Sequence, residues 1–185
     1  MKKLIYILFL FLFLGFSIIE KTKVTITDKS EILIIGKSNV NQFQCEYNQD
    51  LIHSEIIVSH FTKNNKTILN NAVIEIKSEG FDCAHKMITR DLKTVLKSHE
   101  YQNIIVVINE LVEVKSGLIA KVSVVIAGVE KKYELPITFN TKDNNVKGNL
   151  KININDFNLK APKKVLGLIK LNNEVNIYFN LYLKY

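Results

Sequence analysis

Two prolines, seven glycines, two cysteines and no tryptophan occur in 185 residues. With so few chain breakers there is no Pro/Gly/Ser-rich linker to divide the chain, and no internal repeat is visible. Two cysteines are too few for a disulfide scaffold. "DCAH" brings Asp82, Cys83 and His85 together, but a zinc site needs three or four ligands and the other histidines stand at no ligand spacing. No G-x-S-x-G, P-loop or paired-carboxylate pattern is present, so the expectation is a protein without catalytic residues, metal or cofactor. The net charge is +7, yet the lysines are scattered over strand and turn positions with no RNP or helix-turn-helix pattern. Such charge describes a solvated surface, not a nucleic-acid partner.

What is present begins with the leader. Lys2 and Lys3 precede an unbroken apolar run, Leu4 to Leu14, and Gly15-Phe16-Ser17 offers a small-x-small cleavage site. This is the pattern of a secretory signal peptide. The apolar stretch ending at Ile19 is shorter than the ~20 residues of a spanning helix, and no second such run occurs, so no integral membrane span is expected in the mature chain. No cysteine follows the run, which argues against a lipid-anchored lipoprotein. The expected organisation is a signal peptide, 1–17, and one domain, 18–185, exported to the periplasm or the extracellular space. Loss of the leader removes two lysines and no acid, leaving +5 on 168 residues. A chain of that length can bury a single core.

Most of the remainder alternates apolar and polar residues with period two, the mark of half-buried strands. Candidate strands are Lys23–Thr27, Glu31–Ile35, Val40–Tyr47, Ser54–His60, Asn71–Lys77, Asn103–Val112, Gly117–Ala127, Lys131–Asn140, Asn145–Ile154 and Glu174–Lys184. Tyr133, Leu135, Ile137 and Phe139 share one face, as do Leu150 and Ile152, and Ile177, Phe179 and Leu181. Strands with one apolar and one polar face make antiparallel sheets, and about eight of them close into a barrel or stack as a sandwich. One segment departs from this: Ile88, Leu92, Val95 and Leu96 recur at helical spacing, predicting a single helix at about residues 84–98, with Asp82 as its N-cap.

Cys45 shares a strand face with Phe43 and Tyr47, and Cys83 lies at the helix entry. An exported chain meets oxidising conditions, and two cysteines make one pair. A Cys45–Cys83 disulfide is therefore expected, with two buried free thiols as the alternative.

The order of these segments resembles the YceI-like family. The resemblance rests on "GKSNVNQFQC" (36–45), "FDCAHKMITRDLKTVLKSHEYQNIIVVI" (81–108), "VVIAGVEKKYELPITF" (124–139) and "KININDFNLKAPKKVLGLIKLNNEVNIYFNLYL" (151–183). Gln102 stands where the family has proline, and Asn158 where it has glycine. The resemblance implies an eight-stranded, antiparallel, lipocalin-like barrel with an apolar tunnel for a long-chain lipid such as a polyisoprenoid. The tunnel wall would comprise Phe43, Tyr47, Val58, Val124 and Ile126, the face carrying Tyr133, Leu135, Ile137 and Phe139, then Leu150, Ile152, Ile177, Phe179 and Leu181, with Met87 and Leu92 from the helix. The expected function is an exported carrier that sequesters an apolar chain. The alternative is a secreted interaction module whose barrel is filled by its own side chains.

Overall fold

The computed structural model describes residues 20–52, 54–164 and 169–185, with backbone alone at 163, 164 and 169. The segment expected to be a leader, 1–17, lies outside them.

The C-terminal alternation yields a meander of long antiparallel strands: β8 (Asn103–Val114), β9 (Gly117–Ile126), β10 (Val129–Asn140), β11 (Asn145–Asn153) and β13 (Ile169–Lys184). The two-residue turn between β9 and β10 holds Ala127 and Gly128 at positive φ, 48° and 77°, which suits the right-handed twist of a hairpin. The pairing Val129↔Ile126 follows from that turn, and alternation keeps Val122, Val124, Ile126 and Leu135 buried on one face.

The N-terminal half supplies shorter pieces: β1 (Glu20–Ile26), β2 (Glu31–Ser38), β3 (Gln42–Tyr47), β4 (Ser54–Lys63), β5 (Lys66–Asn70), β6 (Val73–Lys77) and β7 (Phe81–Asp82). They behave as three long staves, each interrupted. β1 and β2 both run antiparallel to the same edge of β13, and β5 and β6 both to the same edge of β8. β3 and β4 pair with β2 and β1 respectively. The ring β1-β4-β5-β8-β9-β10-β11-β13 closes through Thr25↔Lys184 and Ile26↔Leu183. This is the expected eight-stranded antiparallel barrel, carried on at one end by β2, β3, β6 and β7. Lys66–Asn70 was not expected as a strand, because "TKNNKT" contains the tight β4–β5 turn and masks where β5 begins.

The helix, α1 (Lys86–Val95), is shorter than the spacing suggested. Its N-cap position is His85, which makes no side-chain capping bond. Asp82 instead accepts hydrogen bonds from Ala84 N–H (2.8 Å) and the Thr89 hydroxyl (3.1 Å), bracing the turn that leads in. Lys97 adopts φ 51°, with Ser98 N–H donating to Lys93 C=O, so the helix ends in a Schellman turn. The apolar face then packs on the core through Ile88, Leu92, Val95 and the buried Leu96.

The β3–β7 register, Glu46↔Asp82 and Tyr47↔Phe81, continues to set Cys45 opposite Cys83. They form a disulfide with Cα atoms 3.8 Å apart. Beyond β11, the 3-10 turn Ile154–Phe157 ends at Asn158, whose φ is 56°. This is a left-handed position, which asparagine tolerates best after glycine. β12 (Lys163–Lys164) pairs with the start of β13.

Candidate functional site

The inner face of the barrel falls into two regimes. Around α1 and the 3-10 turn, apolar side chains are sealed. Phe157 is wholly buried and stacks on Tyr133 with ring centroids 6.4 Å apart. Tyr47 and Phe81 meet at 5.0 Å, Gly80 lies against the Tyr47 ring, and Leu159, Ile154 and Leu96 complete the plug. Glu79 ties this end together through hydrogen bonds to the Ser98 hydroxyl and to Lys93, whose ammonium lies 2.9 Å away. These two partners hold its carboxyl below the usual range.

Towards the C-terminal ends of β8 and β13 the inner face is still apolar but no longer sealed. Leu111, Ile137, Leu150, Ile177, Phe179, Leu181 and Leu183 pack against the core yet stay half-buried. By register, Val24 of β1 faces inward beside Ile56, in phase with the buried Ile26, and Leu69 of β5 lies opposite His60. None of Val24, Ile56 and Leu69 belongs to the core cluster, and neither does Val58, although Val58 is buried. Gly148 keeps the inner wall low on β11, since a Cβ there would lie 2.4 Å from Cζ of Phe179. One end of the barrel is thus plugged, and the other half is open in the sense that its inward apolar side chains stay half-buried.

The sixteen residues expected to line a tunnel divide between these regimes. Tyr47, Val124, Ile126, Leu135 and Ile152 are sealed into the core cluster. Phe43, Leu92 and Tyr133 are half-buried at the plugged end, and Val58 is buried in the β4 wall. Ile137, Leu150, Ile177, Phe179 and Leu181 face the open half, with Phe139 at its edge, 36% exposed. Met87 is 52% exposed, on the outer side of α1. Its expected place in the wall is corrected, because the helix turns Ile88 and Leu92 inward instead. Val24, Ile56, Leu69, Leu111 and Leu118, the last opposite Ile137, also face inward by register and were not among the expected residues. The run Ile56-Ile57-Val58 hides the phase of β4, where Ile57 is outward and 63% exposed.

The few polar groups facing the open half cluster at its rim. His60 Nε2 lies 3.1 Å from Thr22 Oγ1 and 3.9 Å from a Glu20 carboxylate oxygen. Thr62 and Thr67 share a hydroxyl hydrogen bond of 2.9 Å. Deeper, the Tyr133 hydroxyl is buried without a hydrogen-bond partner, and burial, then the Asp156 carboxylate, pushes its pKa up.

Two open clefts mark the outside. One, of about 520 Å³, runs along α1 between Glu79, Asp82, His85, Arg90 and His99; the other, of about 710 Å³, lies at the β1–β13 seam by Asp28, Asp50 and Tyr185. Among the described residues no three His, Cys, Asp or Glu side chains gather where they could hold a metal ion. No described helix is long and apolar enough to cross a membrane.

An antiparallel eight-stranded barrel plugged at one end is a lipocalin-like architecture. The family model for the YceI-like domain matches residues 24–183, and the chain belongs to that family. Among solved structures it is similar to BcnA from Burkholderia cenocepacia, with a TM-score of 0.62 at 18% identity, covering 85% of this chain and 97% of that one. That likeness bears on the fold alone. No curated protein sequence matches the chain.

Proposed function

We propose that the protein is an exported carrier that holds one long-chain apolar lipid, polyisoprenoid or fatty-acyl, in the open half of its barrel and does no chemistry on it. The observation that carries this reading is the half-buried inner stripe of Leu111, Ile137, Leu150, Ile177, Phe179 and Leu181 within a closed ring of strands. Apolar side chains that face inward and still meet solvent gain the rest of their burial only when something apolar covers them. At ~25 cal/mol per Å², enclosing about 400 Å² of hydrocarbon contributes about 10 kcal/mol before the cost of association. No polar contact is required for that term. The Cys45–Cys83 disulfide supports an oxidising destination, the periplasm or the extracellular space.

The test is to purify the oxidised protein without detergent and compare its native and denaturing mass spectra. An added mass that is lost on denaturation and extracts into organic solvent supports the carrier and identifies its cargo. A mass that stays bare after incubation with isoprenoid and fatty-acyl lipids overturns it, and leaves the secreted interaction module with a filled barrel.

A further inference from the structure

The outside of the barrel carries a second apolar surface. On β8, Ile104, Val106, Ile108 and, beyond the bulge, Leu111 pack in the core, so Ile105, Val107 and Val112 point outward. Register sets Val125 of β9 opposite Ile105 and Ile119 of β9 opposite Val112. These five belong to no part of the core cluster, although each is half-buried by its neighbours on the sheet. The one α-helix among the described residues packs elsewhere, against β7. An ionic row crosses the same face. Lys66 on β5, Glu110 on β8, Lys121 on β9 and Glu134 on β10 alternate in sign from strand to strand. Lys66 lies 3.4 Å from Glu110, and Lys121 lies 3.6 Å from both Glu110 and Glu134.

We propose that this outer face is the interface of a two-fold dimer, its occupant a second copy of the chain. A net charge of +7 makes two copies repel in general, but on this face two lysines and two glutamates balance. The order plus, minus, plus, minus is antisymmetric about its midpoint, which falls between β8 and β9. A two-fold axis running along the strands through that midpoint exchanges β8 with β9 and β5 with β10. Glu110 of one copy then lies over Lys121 of the other, and Lys66 over Glu134. The same rotation sets Val112 over Ile119 and Ile105 over Val125. A closed isologous contact needs such self-complementarity. From β5 to β10 and from Ile105 to Val114 the face spans roughly 14 Å by roughly 30 Å. A rim one residue deep brings that to the ~800 Å² per partner of a standard interface. Barrel curvature places the weight of the contact on β8 and β9. Because the axis follows the strands, both barrels keep their open halves pointing the same way. The inference stands apart from what the barrel holds.

The test is sedimentation equilibrium of the oxidised protein purified without detergent. The expected result is a dimer with a Kd of about 1–100 µM. Glu110→Lys and Lys121→Glu should each weaken it about tenfold or more, because like charges then face each other across the axis. Mixed in equal amounts, the two variants should recover a dimer, since each supplies the charge the other lacks. A role of the pair confined to one chain would give no such recovery. Val112→Lys, outside the ionic row, should also be monomeric, and circular dichroism checks that each variant is folded. Wild type that stays monomeric throughout that range, whether or not it binds phosphatidylglycerol vesicles, overturns the proposal. So does a folded Val112→Lys that dimerises as wild type does, or a folded pair of charge variants that stays monomeric on mixing.

Discussion

Phe157 is the residue on which the plugged end turns. It is the last residue of a 3-10 turn that Asn153 initiates by accepting a hydrogen bond from Asn155 N–H at 3.0 Å, and it is wholly buried against Tyr133. Phe157→Ala should destabilise the protein by about 3–5 kcal/mol, since it removes a buried ring and leaves a cavity; the urea midpoint reads this directly. Tyr47 gives a second prediction. Its hydroxyl accepts a hydrogen bond from Lys77 N–H at 3.0 Å, and burial raises its pKa despite that bond. Tyr133 is raised as well. A phenol whose folded pKa exceeds its unfolded value keeps its full contribution below pH ~10 and loses it as pH climbs through the folded value. Thermal stability should therefore fall above pH ~10, and in Tyr47→Phe part of that fall should disappear. Unchanged pH dependence in the variant would contradict the assignment.

Elements show how far the sequence could be read. The strands of the C-terminal half were legible because strict alternation fixes both the element and its buried face, as in Tyr133, Leu135 and Ile137. The helix was legible from Ile88, Leu92, Val95 and Leu96, although its cap was not: Asp82 spends its oxygen on Ala84 and Thr89. The three interrupted staves were the hardest, because their breaks at 27–30, 48–53 and 71–72 look like ordinary hairpin turns when only local sequence is in view. What makes β5 and β6 one stave is their common partner β8, a long-range fact. The division of the inner face into sealed and open halves has the same origin. Ile152 and Ile177 have similar local patterns, yet the first lies in the sealed core, near the 3-10 turn, and the second remains half-buried. The disulfide belongs at this scale, since it locks the short β3–β7 ladder beneath α1. It closes a separation of 38 residues, so Cys45→Ser/Cys83→Ser should lose about 3–4 kcal/mol. Denaturant titration of the variant, alongside wild type with and without reductant, checks it.

For the whole molecule, the two ends of one barrel do different work. The plug, the helix and the disulfide hold the end built on β2, β3, β6 and β7. The ring through β1, β4 and β5 encloses inward apolar side chains that stay half-buried, among them Val24, Ile56 and Leu69. The most direct measurement is methyl NMR of the oxidised, lipid-free protein titrated with a neutral long-chain alcohol. The account predicts large shifts for Leu111, Ile137, Leu150, Ile177 and Leu181, and little change for Val124, Ile126 and Ile152. Shifts confined to the sealed set or to outward methyls such as Ile57, or none at saturating alcohol, would contradict it.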